Sequence, residues 1–193
     1  MKDLLRGVTL AAGAAVIGGV SSRPTGREVD RALFADVNAG AGAAADRLFL
    51  DVTELGSLYT AGAAACVLAL SGRRTAAIRA IGAAGATWLA GQGLKKLVAR
   101  PRPYHANPEG TRLMIAEPHG SSWPSSHPAV LSAFTRTAAR ELQLGPIPMA
   151  ALTGLDLLIA TSRVYLGVHY PSDVGGGLLM GRAVAAVWPA ARG

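Results

Sequence analysis

The stretch SRVYLGVHYPSD, residues 162–173, holds an arginine, a histidine and an aspartate in a chain otherwise rich in alanine, glycine and leucine. A neutral imidazole can attack phosphorus when a carboxylate holds the proton on its other ring nitrogen. Asp173 follows His169 by four residues, and Pro171 is favoured at the first position of a helix. We therefore expect His169 to be a nucleophile whose tautomer is fixed by Asp173, in the first turn of that helix.

A second cluster, PSSH at residues 124–127, precedes an apolar segment. Serine is a favoured N-cap residue, and the free N–H groups of a helix N-terminus bind anions. We expect Ser125 and Ser126 to bind a phosphoryl group. His127 comes next, where it could protonate the leaving oxygen and then activate the water that breaks a phosphohistidine.

Three cations complete a set of groups suited to phosphoryl transfer. Lys95 and Arg102 lie in KKLVARPRP, residues 95–103, and Arg163 lies in the first stretch. Phosphoryl transfer needs cations around the three equatorial oxygens, and arginine supplies planar bidentate donors. The sequence predicts that these three side chains bind phosphate, with no metal and no cofactor required.

The composition indicates a membrane protein. Half of the 193 residues are hydrophobic and 16% are charged, below the roughly 25% of soluble domains. Six helical segments are predicted, each near the minimum length for a membrane span: residues 4–20, 54–70, 76–94, 128–144, 147–161 and 173–188. We interpret the first as a span rather than a signal peptide, because no A-x-A site is followed by a polar mature domain.

The predicted fold class is all-α, a six-transmembrane-helix bundle forming a single domain over residues 1–193. Val29, Leu33 and Val37 recur at helical spacing beside charged residues between the first two spans. This pattern predicts an interfacial helix followed by a glycine-alanine bend.

Two predicted spans separate PSSH from the stretch at residues 162–173. An even number of crossings returns the chain to the same membrane face. The candidate residues should therefore meet at one end of the bundle. The opposite end would carry Lys2, Arg6, Arg73, Arg74, Arg79, Arg140 and Arg192. The positive-inside rule makes that end cytoplasmic, so we expect both termini in the cytoplasm and the site on the extracytoplasmic face of the plasma membrane.

Two ionisable residues fall inside predicted spans, where such groups are costly and usually paired. Arg136 and Asp156 lie at similar depths below the outer helix ends, which predicts a salt bridge beneath the site. Trp123 directly precedes PSSH and is a candidate for lining a lipid entrance, although tryptophans at such positions are more often interfacial anchors.

The formal net charge of +7 is compatible with nucleic acid, anionic lipid headgroups or phosphorylated substrates. Aromatic residues are scarce and no basic amphipathic run is present, which argues against nucleic acid. The single cysteine, Cys66, excludes an internal disulfide and a cysteine-based metal site. The expected partners are a lipid phosphate and the bilayer.

Together the three stretches resemble the signature of the type 2 phosphatidic acid phosphatase superfamily: K-x6-R-P, P-S-G-H and S-R-x5-H-x3-D. The first and third motifs match at every fixed position, from Lys95 to Pro103 and from Ser162 to Asp173. In the second motif Ser126 stands where the family has glycine. A serine retains the backbone N–H, and it fits if the backbone angles there are ordinary.

The resemblance implies an all-helical bundle, a phosphohistidine intermediate and lipid phosphate or diphosphate substrates. The candidates are polyprenyl diphosphate, phosphatidic acid, phosphatidylglycerophosphate and a polyprenyl-linked sugar phosphate. Two alternatives remain open: a vanadate-dependent haloperoxidase-like enzyme, and a non-catalytic lipid-binding membrane protein.

Overall fold

The computed structural model describes residues 1–190, and its regular structure over that range is entirely helical, as predicted. Arg192, one of the cations assigned to the cytoplasmic side, lies outside the described residues. Residues 1–190 form nine α-helices: α1 (Lys2–Ser21), α2 (Pro24–Asn38), α3 (Ala43–Thr53), α4 (Leu58–Leu70), α5 (Arg74–Val98), α6 (Pro103–Ala106), α7 (Ser126–Glu141), α8 (Pro146–Tyr165) and α9 (Pro171–Val187).

Helix α7 is the centre of the bundle. It packs against α4, α5, α8 and α9, and almost every residue from Pro128 to Ala139 is buried. A helix buried on all sides needs small or apolar side chains around its whole circumference, and α7 supplies them with Ala129, Val130, Ala133 and Phe134. The central position of α7 fixes its N-terminus, where the PSSH motif lies.

Helix α9 approaches α7 closely through two glycines spaced four residues apart. A Cβ atom at Gly177 would lie 2.4 Å from the carbonyl oxygen of Ser125, and one at Gly181 would lie 2.2 Å from that of Ala129. Small residues at this spacing allow helix backbones to meet. The contact brings the start of α9, which follows His169, beside the start of α7.

The second predicted span differs from the observed structure. Residues 54–70 are not one helix, because a 3-10 turn (Glu54–Gly56) separates α3 from α4. Ser57 then caps α4 by accepting a hydrogen bond from the Thr60 N–H at 3.2 Å. The helical segments on either side of this break are bent by 65° relative to each other. Helix α3, the 3-10 turn and α4 therefore form one bent element.

The amphipathic helix predicted after the first span is α2, and it is followed by the expected bend. Asp30, Phe34 and Asn38 form its buried face. Val29 and Leu33 are instead about half exposed. Val29 and Leu33 of the apolar stripe therefore face away from the bundle, whereas Val37 packs against the buried cluster that includes Phe34. The polar side chains of Asp30 and Asn38 point into the bundle.

In the described part of the chain, two helices, α1 and α8, are long and apolar enough to cross a membrane, and the bent pair formed by α3 and α4 would make a third. The six-span count and the interfacial position of α2 stay predictions.

The predicted salt bridge between Arg136 and Asp156 is confirmed. Arg136 Nη2 lies 3.2 Å from Asp156 Oδ2, and the same carboxylate oxygen accepts a hydrogen bond from Ser132 Oγ at 3.0 Å. Asp156 is fully buried. A buried carboxylate needs such partners, because losing one of them leaves the remaining charge uncompensated.

We expect Asp156→Ala to lower the free energy of unfolding by about 3 kcal/mol, because Arg136 loses its carboxylate partner in the bundle. Thermal unfolding in detergent measures the change. Asp36→Ala, at an exposed position on α2, is the control and should shift stability by less than about 0.5 kcal/mol. Equal stability of the two variants would contradict a structural role for the pair.

Candidate active site

Arg102 joins the two distant motifs at one end of the bundle. Its guanidinium donates hydrogen bonds to the carbonyl oxygens of Gly120 and Val168, both at 3.0 Å. Its Nη1 atom also lies 3.2 Å from His169 Nε2. Arg102 is only 2% exposed, so these contacts hold it rigidly. The loop after α5 and the turn before α9 therefore meet at the same end of the bundle, with the two helices α7 and α8 between them in the chain.

His169 lies in the turn between α8 and α9 and is 2% exposed. Burial, followed by the nearby charges of Arg102, Arg163 and Lys95, holds the pKa of this imidazole well below its usual range. The ring is therefore neutral near pH 7. An Arg102 N–H can only donate to a ring nitrogen that lacks a proton, which assigns the proton to Nδ1 and leaves the lone pair on Nε2.

Asp173 is at the expected place in the first turn of α9, but it does not make the predicted hydrogen bond to His169. The distance from its Oδ2 to His169 Nδ1 is 3.6 Å, beyond hydrogen-bond range. Oδ2 accepts instead from the Tyr170 N–H at 2.8 Å, as part of a capping box at the helix start. The carboxylate thus faces the imidazole as a buried charge without a direct bond.

Arg100 supplies the counter-charge for Asp173, and the motif spacing did not single it out. Its Nη1 atom lies 2.6 Å from Asp173 Oδ1, and its Nη2 atom lies 2.6 Å from Asp30 Oδ2 on α2. Its guanidinium also stacks over the Tyr170 ring at 4.4 Å. The sequence pointed to Arg100 only by its position two residues before Arg102. Its partner Asp30 lies 70 residues away in the chain, so their pairing was not predicted.

Ser125 and Ser126 begin α7, with Ser125 at the N-cap. Their hydroxyl oxygens are buried, and within residues 1–190 neither has a hydrogen-bond partner. Ser126 has the helical backbone of the first residue of α7 and is not among the described residues with positive φ. The serine that replaces the motif glycine therefore adopts ordinary angles and keeps its N–H at the helix terminus.

His127 follows in the first turn of α7, and its Nε2 atom is also buried without a partner among the described side chains. It lies within electrostatic range of Arg163, His169, Lys95 and Arg102. Gly56 in the 3-10 turn packs directly against it: a Cβ there would lie 2.9 Å from His127 Cβ and 2.7 Å from Ile159 Cγ2. The bend between α3 and α4 thus fixes one wall of the site.

Lys95 and Arg163 come from the last turns of α5 and α8. Arg163 Nη1 donates to Thr53 Oγ1 at 2.9 Å, whereas its Nε is buried and unpartnered within residues 1–190. Lys95 lies within electrostatic range of both Arg102 and Arg163. The predicted phosphate-binding cations are thus brought together, although like charges repel.

The nearby carboxylates do not neutralise the positive charge of Lys95, Arg102 and Arg163. Asp173 is within electrostatic range of Lys95 and Arg102, but it is already paired with Arg100. Glu54 is near Arg163 and is exposed to solvent. Clustered cations beside spare N–H and O–H donors favour the binding of an anion.

Trp123 does not line an opening. It is 6% exposed, and its indole packs against Gly18 of α1 and Gly176 of α9. Neither glycine could carry a Cβ beside this ring without displacing it. Trp123 therefore fills the space between two helices and supports the PSSH segment from behind.

Comparison with known proteins supports the family suggested by the motifs. Residues 75–192 match the family model of the PAP2 superfamily. The chain is 35% identical over 94 residues to decaprenylphosphoryl-5-phosphoribose phosphatase of Mycobacterium tuberculosis, covering 49% of each protein. It is 36% identical over 94 residues to undecaprenyl-diphosphatase of Sulfolobus acidocaldarius, covering 47% of this chain and 43% of that protein. The alignments thus span about half the length of these relatives, or less.

Two solved structures share the fold. A transmembrane PAP2-type phosphatidylglycerolphosphate phosphatase from Bacillus subtilis superposes with a TM-score of 0.75 at 18% identity, covering 93% of this chain and 92% of that one. LpxE of Aquifex aeolicus superposes with a TM-score of 0.72 at 26% identity, covering 79% and 90%. The family match extends over more than half of the chain. It includes residues 124–127 and 162–173, the two histidine motifs, so this protein belongs to the PAP2 superfamily.

Proposed function

We propose that this protein is a single-domain integral membrane phosphatase that hydrolyses a lipid phosphomonoester or diphosphate through a phosphohistidine at His169. The observation that carries the proposal is the cluster of Lys95, Arg102 and Arg163 around a neutral imidazole, with two unpartnered serine hydroxyls at a helix N-terminus. A tetrahedral phosphoryl group supplies the negative charge and the acceptor oxygens that this cluster lacks.

In the proposed first step, His169 Nε2 attacks phosphorus in line with the scissile P–O bond. The Arg102 N–H that is hydrogen-bonded to the imidazole donates instead to a phosphoryl oxygen. This change of acceptor frees the lone pair on Nε2. The N–P bond forms, the P–O bond breaks, and His127 in its protonated form donates a proton to the leaving oxygen. Burial and the nearby cations lower the pKa of His127 in the free site, so the protonated form depends on the negative charge that the bound phosphoryl group adds beside the ring. Lys95, Arg163 and the serines at the start of α7 stabilise the equatorial oxygens.

In the second step, His127 accepts a proton from a water molecule that attacks the phosphorus. The N–P bond breaks, phosphate leaves, and His169 returns to its neutral form. Asp173 stabilises the positive charge that the imidazole carries while it is bonded to phosphorus, since its carboxylate lies 3.6 Å from Nδ1.

Polyprenyl-linked phosphates are the substrate class we favour. The two relatives described above, at 35% and 36% identity, are named for decaprenyl- and undecaprenyl-linked substrates. Phosphatidic acid and phosphatidylglycerophosphate are the competing substrates. The fold likeness to the Bacillus subtilis enzyme, at 18% identity, does not favour either class.

The proposed arrangement has six membrane crossings and an extracytoplasmic site. Lys2, Arg6, Arg74 and Arg140 belong to the helix ends opposite the site, which supports a cytoplasmic location for that end. The exposed Val29 and Leu33 stripe on α2 supports an interfacial position beside the site.

The decisive experiment measures inorganic phosphate release from a panel of lipids in detergent containing EDTA: undecaprenyl diphosphate, a polyprenyl-phosphoryl phosphoribose, phosphatidic acid and phosphatidylglycerophosphate. We expect turnover of the polyprenyl substrates, and a loss of roughly 10³-fold or more in His169→Ala, because the covalent step cannot occur.

His105→Ala is the matched control, since this histidine is exposed and its only charged contact is Glu117 at 3.7 Å within residues 1–190. It should retain wild-type turnover. Undiminished phosphate release by His169→Ala from every lipid tested would refute the mechanism. Bromide oxidation after vanadate addition, without phosphatase turnover, would favour the haloperoxidase-like alternative.

Arg100 gives a second test, because we assign it a positioning role through Asp173. We expect Arg100→Gln to lower kcat roughly 10- to 100-fold with little change in KM, since the carboxylate facing His169 loses its partner while the phosphate-binding cations remain. Steady-state kinetics on the preferred lipid measure both constants.

Arg112→Gln is a close control for Arg100→Gln. Arg112 likewise pairs with a carboxylate, Asp46 at 3.0 Å, and stacks over a tyrosine ring, that of Tyr165 at 4.8 Å. Its guanidinium donates hydrogen bonds to Asn38 and Asp46, and within residues 1–190 to none of the candidate catalytic or phosphate-binding residues. Equal kcat values in the two variants would remove the positioning role.

Gly56 gives a third test. Gly56→Ala places a methyl group against His127 and should lower kcat by about 10²-fold, because small displacements of a catalytic group are costly. Gly62→Ala, in α4 with open space around the added methyl, should keep wild-type kcat. Thermal unfolding of both variants distinguishes a displaced His127 from a loss of the fold. An unchanged kcat in a folded Gly56→Ala protein would contradict the role given to His127.

A further inference from the structure

A second arginine-lined cavity lies at the end of the bundle opposite the candidate active site. It has a volume of about 420 Å³ and is lined by Arg6, Arg136, Arg140 and Arg182, with Asp3 as the lining carboxylate. Ser126 begins α7 at the active-site end, and Arg140 lies 14 residues further along that helix, or roughly 21 Å at 1.5 Å per residue. We call this space the distal arginine cavity.

The arginines of this cavity are only partly satisfied by the protein. The Nε atoms of Arg136, Arg140 and Arg182 are buried and have no hydrogen-bond partner within residues 1–190. Arg182 approaches Asp156 only to 3.8 Å, and that carboxylate is already hydrogen-bonded to Arg136 at 3.2 Å. Unpaired buried donors on charged groups are costly, so a ligand with several acceptor oxygens would be stabilised here.

Positive charge also exceeds negative charge around the cavity. Beneath the lining residues, Asp156 pairs with Arg136, and Glu141 lies 3.6 Å from both Arg79 and Arg140. Five arginines thus face three carboxylates, Asp3 included. Arg182 lies within electrostatic range of both Arg136 and Arg6. An anion placed between these guanidinium groups would relieve their mutual repulsion.

The size and rim of the cavity indicate what kind of anion it takes. A water molecule occupies about 30 Å³ of liquid, so the space accommodates a phosphate group together with several waters. Leu144 and Met149 contribute apolar side chains to the lining, and Leu4, Leu5 and Ile147 of the adjoining helices are strongly exposed. Basic pockets between helices at a membrane surface are suited to lipid phosphate headgroups.

We propose that the distal arginine cavity is a second phosphate-binding site, separate from the candidate active site, which holds the phosphate of an anionic lipid headgroup or a free phosphate ion. Arg6 and Arg182 bind the phosphate oxygens, while Arg136 remains paired with Asp156. Occupancy stabilises the bundle at this end. The proposal does not depend on the phosphatase reaction, because none of these residues belongs to the histidine motifs.

The test titrates the purified full-length chain in neutral detergent and follows its Tm. One arm adds phosphatidylglycerol, whose phosphodiester is not a phosphatase substrate of the proposed kind, with phosphatidylcholine as the zwitterionic comparison. The other arm adds sodium phosphate against sodium chloride at equal ionic strength. We expect phosphatidylglycerol to raise the Tm saturably.

Arg182→Gln and Arg6→Gln should each weaken the apparent affinity by roughly tenfold or more, because each removes a charge-assisted hydrogen bond to the phosphate. The Nε atom of Arg182 has no hydrogen-bond partner within residues 1–190, its Nη2 atom lies 3.8 Å from Asp156, and Arg6 is exposed, so both variants should fold. Arg74→Gln, at the same end but outside the cavity, should match the wild type.

A shift with sodium phosphate that is lost in the same two variants would identify free phosphate as a ligand, whereas a shift with phosphatidylglycerol alone would identify the lipid headgroup. Phosphate bound at His169 would still register in Arg182→Gln and Arg6→Gln, which keeps the two sites distinguishable. Titration curves for both variants that coincide with wild type and with Arg74→Gln, for both ligands, would overturn the proposal.

Discussion

Three cations lie beside a neutral imidazole, Arg102 and Arg163 buried and Lys95 partly buried, and their mutual repulsion is the constraint on which the structure of this site depends. Lys95, Arg102 and Arg163 come from three separate elements, and their charges repel one another. Burial raises the cost of that repulsion, because the effective dielectric constant falls. The packing of α7 against α5, α8 and α9 must hold the cluster together, so the small residues of the bundle interior are as much part of the site as the cations are.

A network of ion pairs and hydrogen bonds connects α2 to the surroundings of His169. Asp30 on α2 binds Arg100, Arg100 binds Asp173, and Asp173 caps α9 while facing His169. Ser172 joins the same group by donating its backbone N–H to Asp30 at 2.9 Å. These bonds connect the amphipathic helix α2 to the turn that carries the imidazole, so a movement of α2 would displace that turn.

Sequence spacing predicted the helical class and the meeting of the motifs, because those depend on chain order and on the two helices, α7 and α8, that separate the motifs. It also predicted the pair of Arg136 and Asp156, since the depth of a residue in a helix can be counted. It missed Arg100 and Asp30, whose pairing across 70 residues has no periodic signature. It did not predict the break between α3 and α4, where Gly56 packs closely against His127, because that contact exists only in the folded chain.

The contrast between Arg100 and Arg102 explains how one short segment serves two purposes. Both side chains are largely buried and extensively hydrogen-bonded, but Arg100 is bound by two carboxylates, so its charge is already neutralised. Arg102 is bound by the carbonyl oxygens of His119, Gly120 and Val168 and by a neutral imidazole. Neutral acceptors fix the position of a guanidinium without cancelling its charge. A carboxylate in their place would compete with every incoming phosphate. The positive charge at Arg102 therefore stays available for an exchangeable anion, while that at Arg100 is used to maintain the shape of the site.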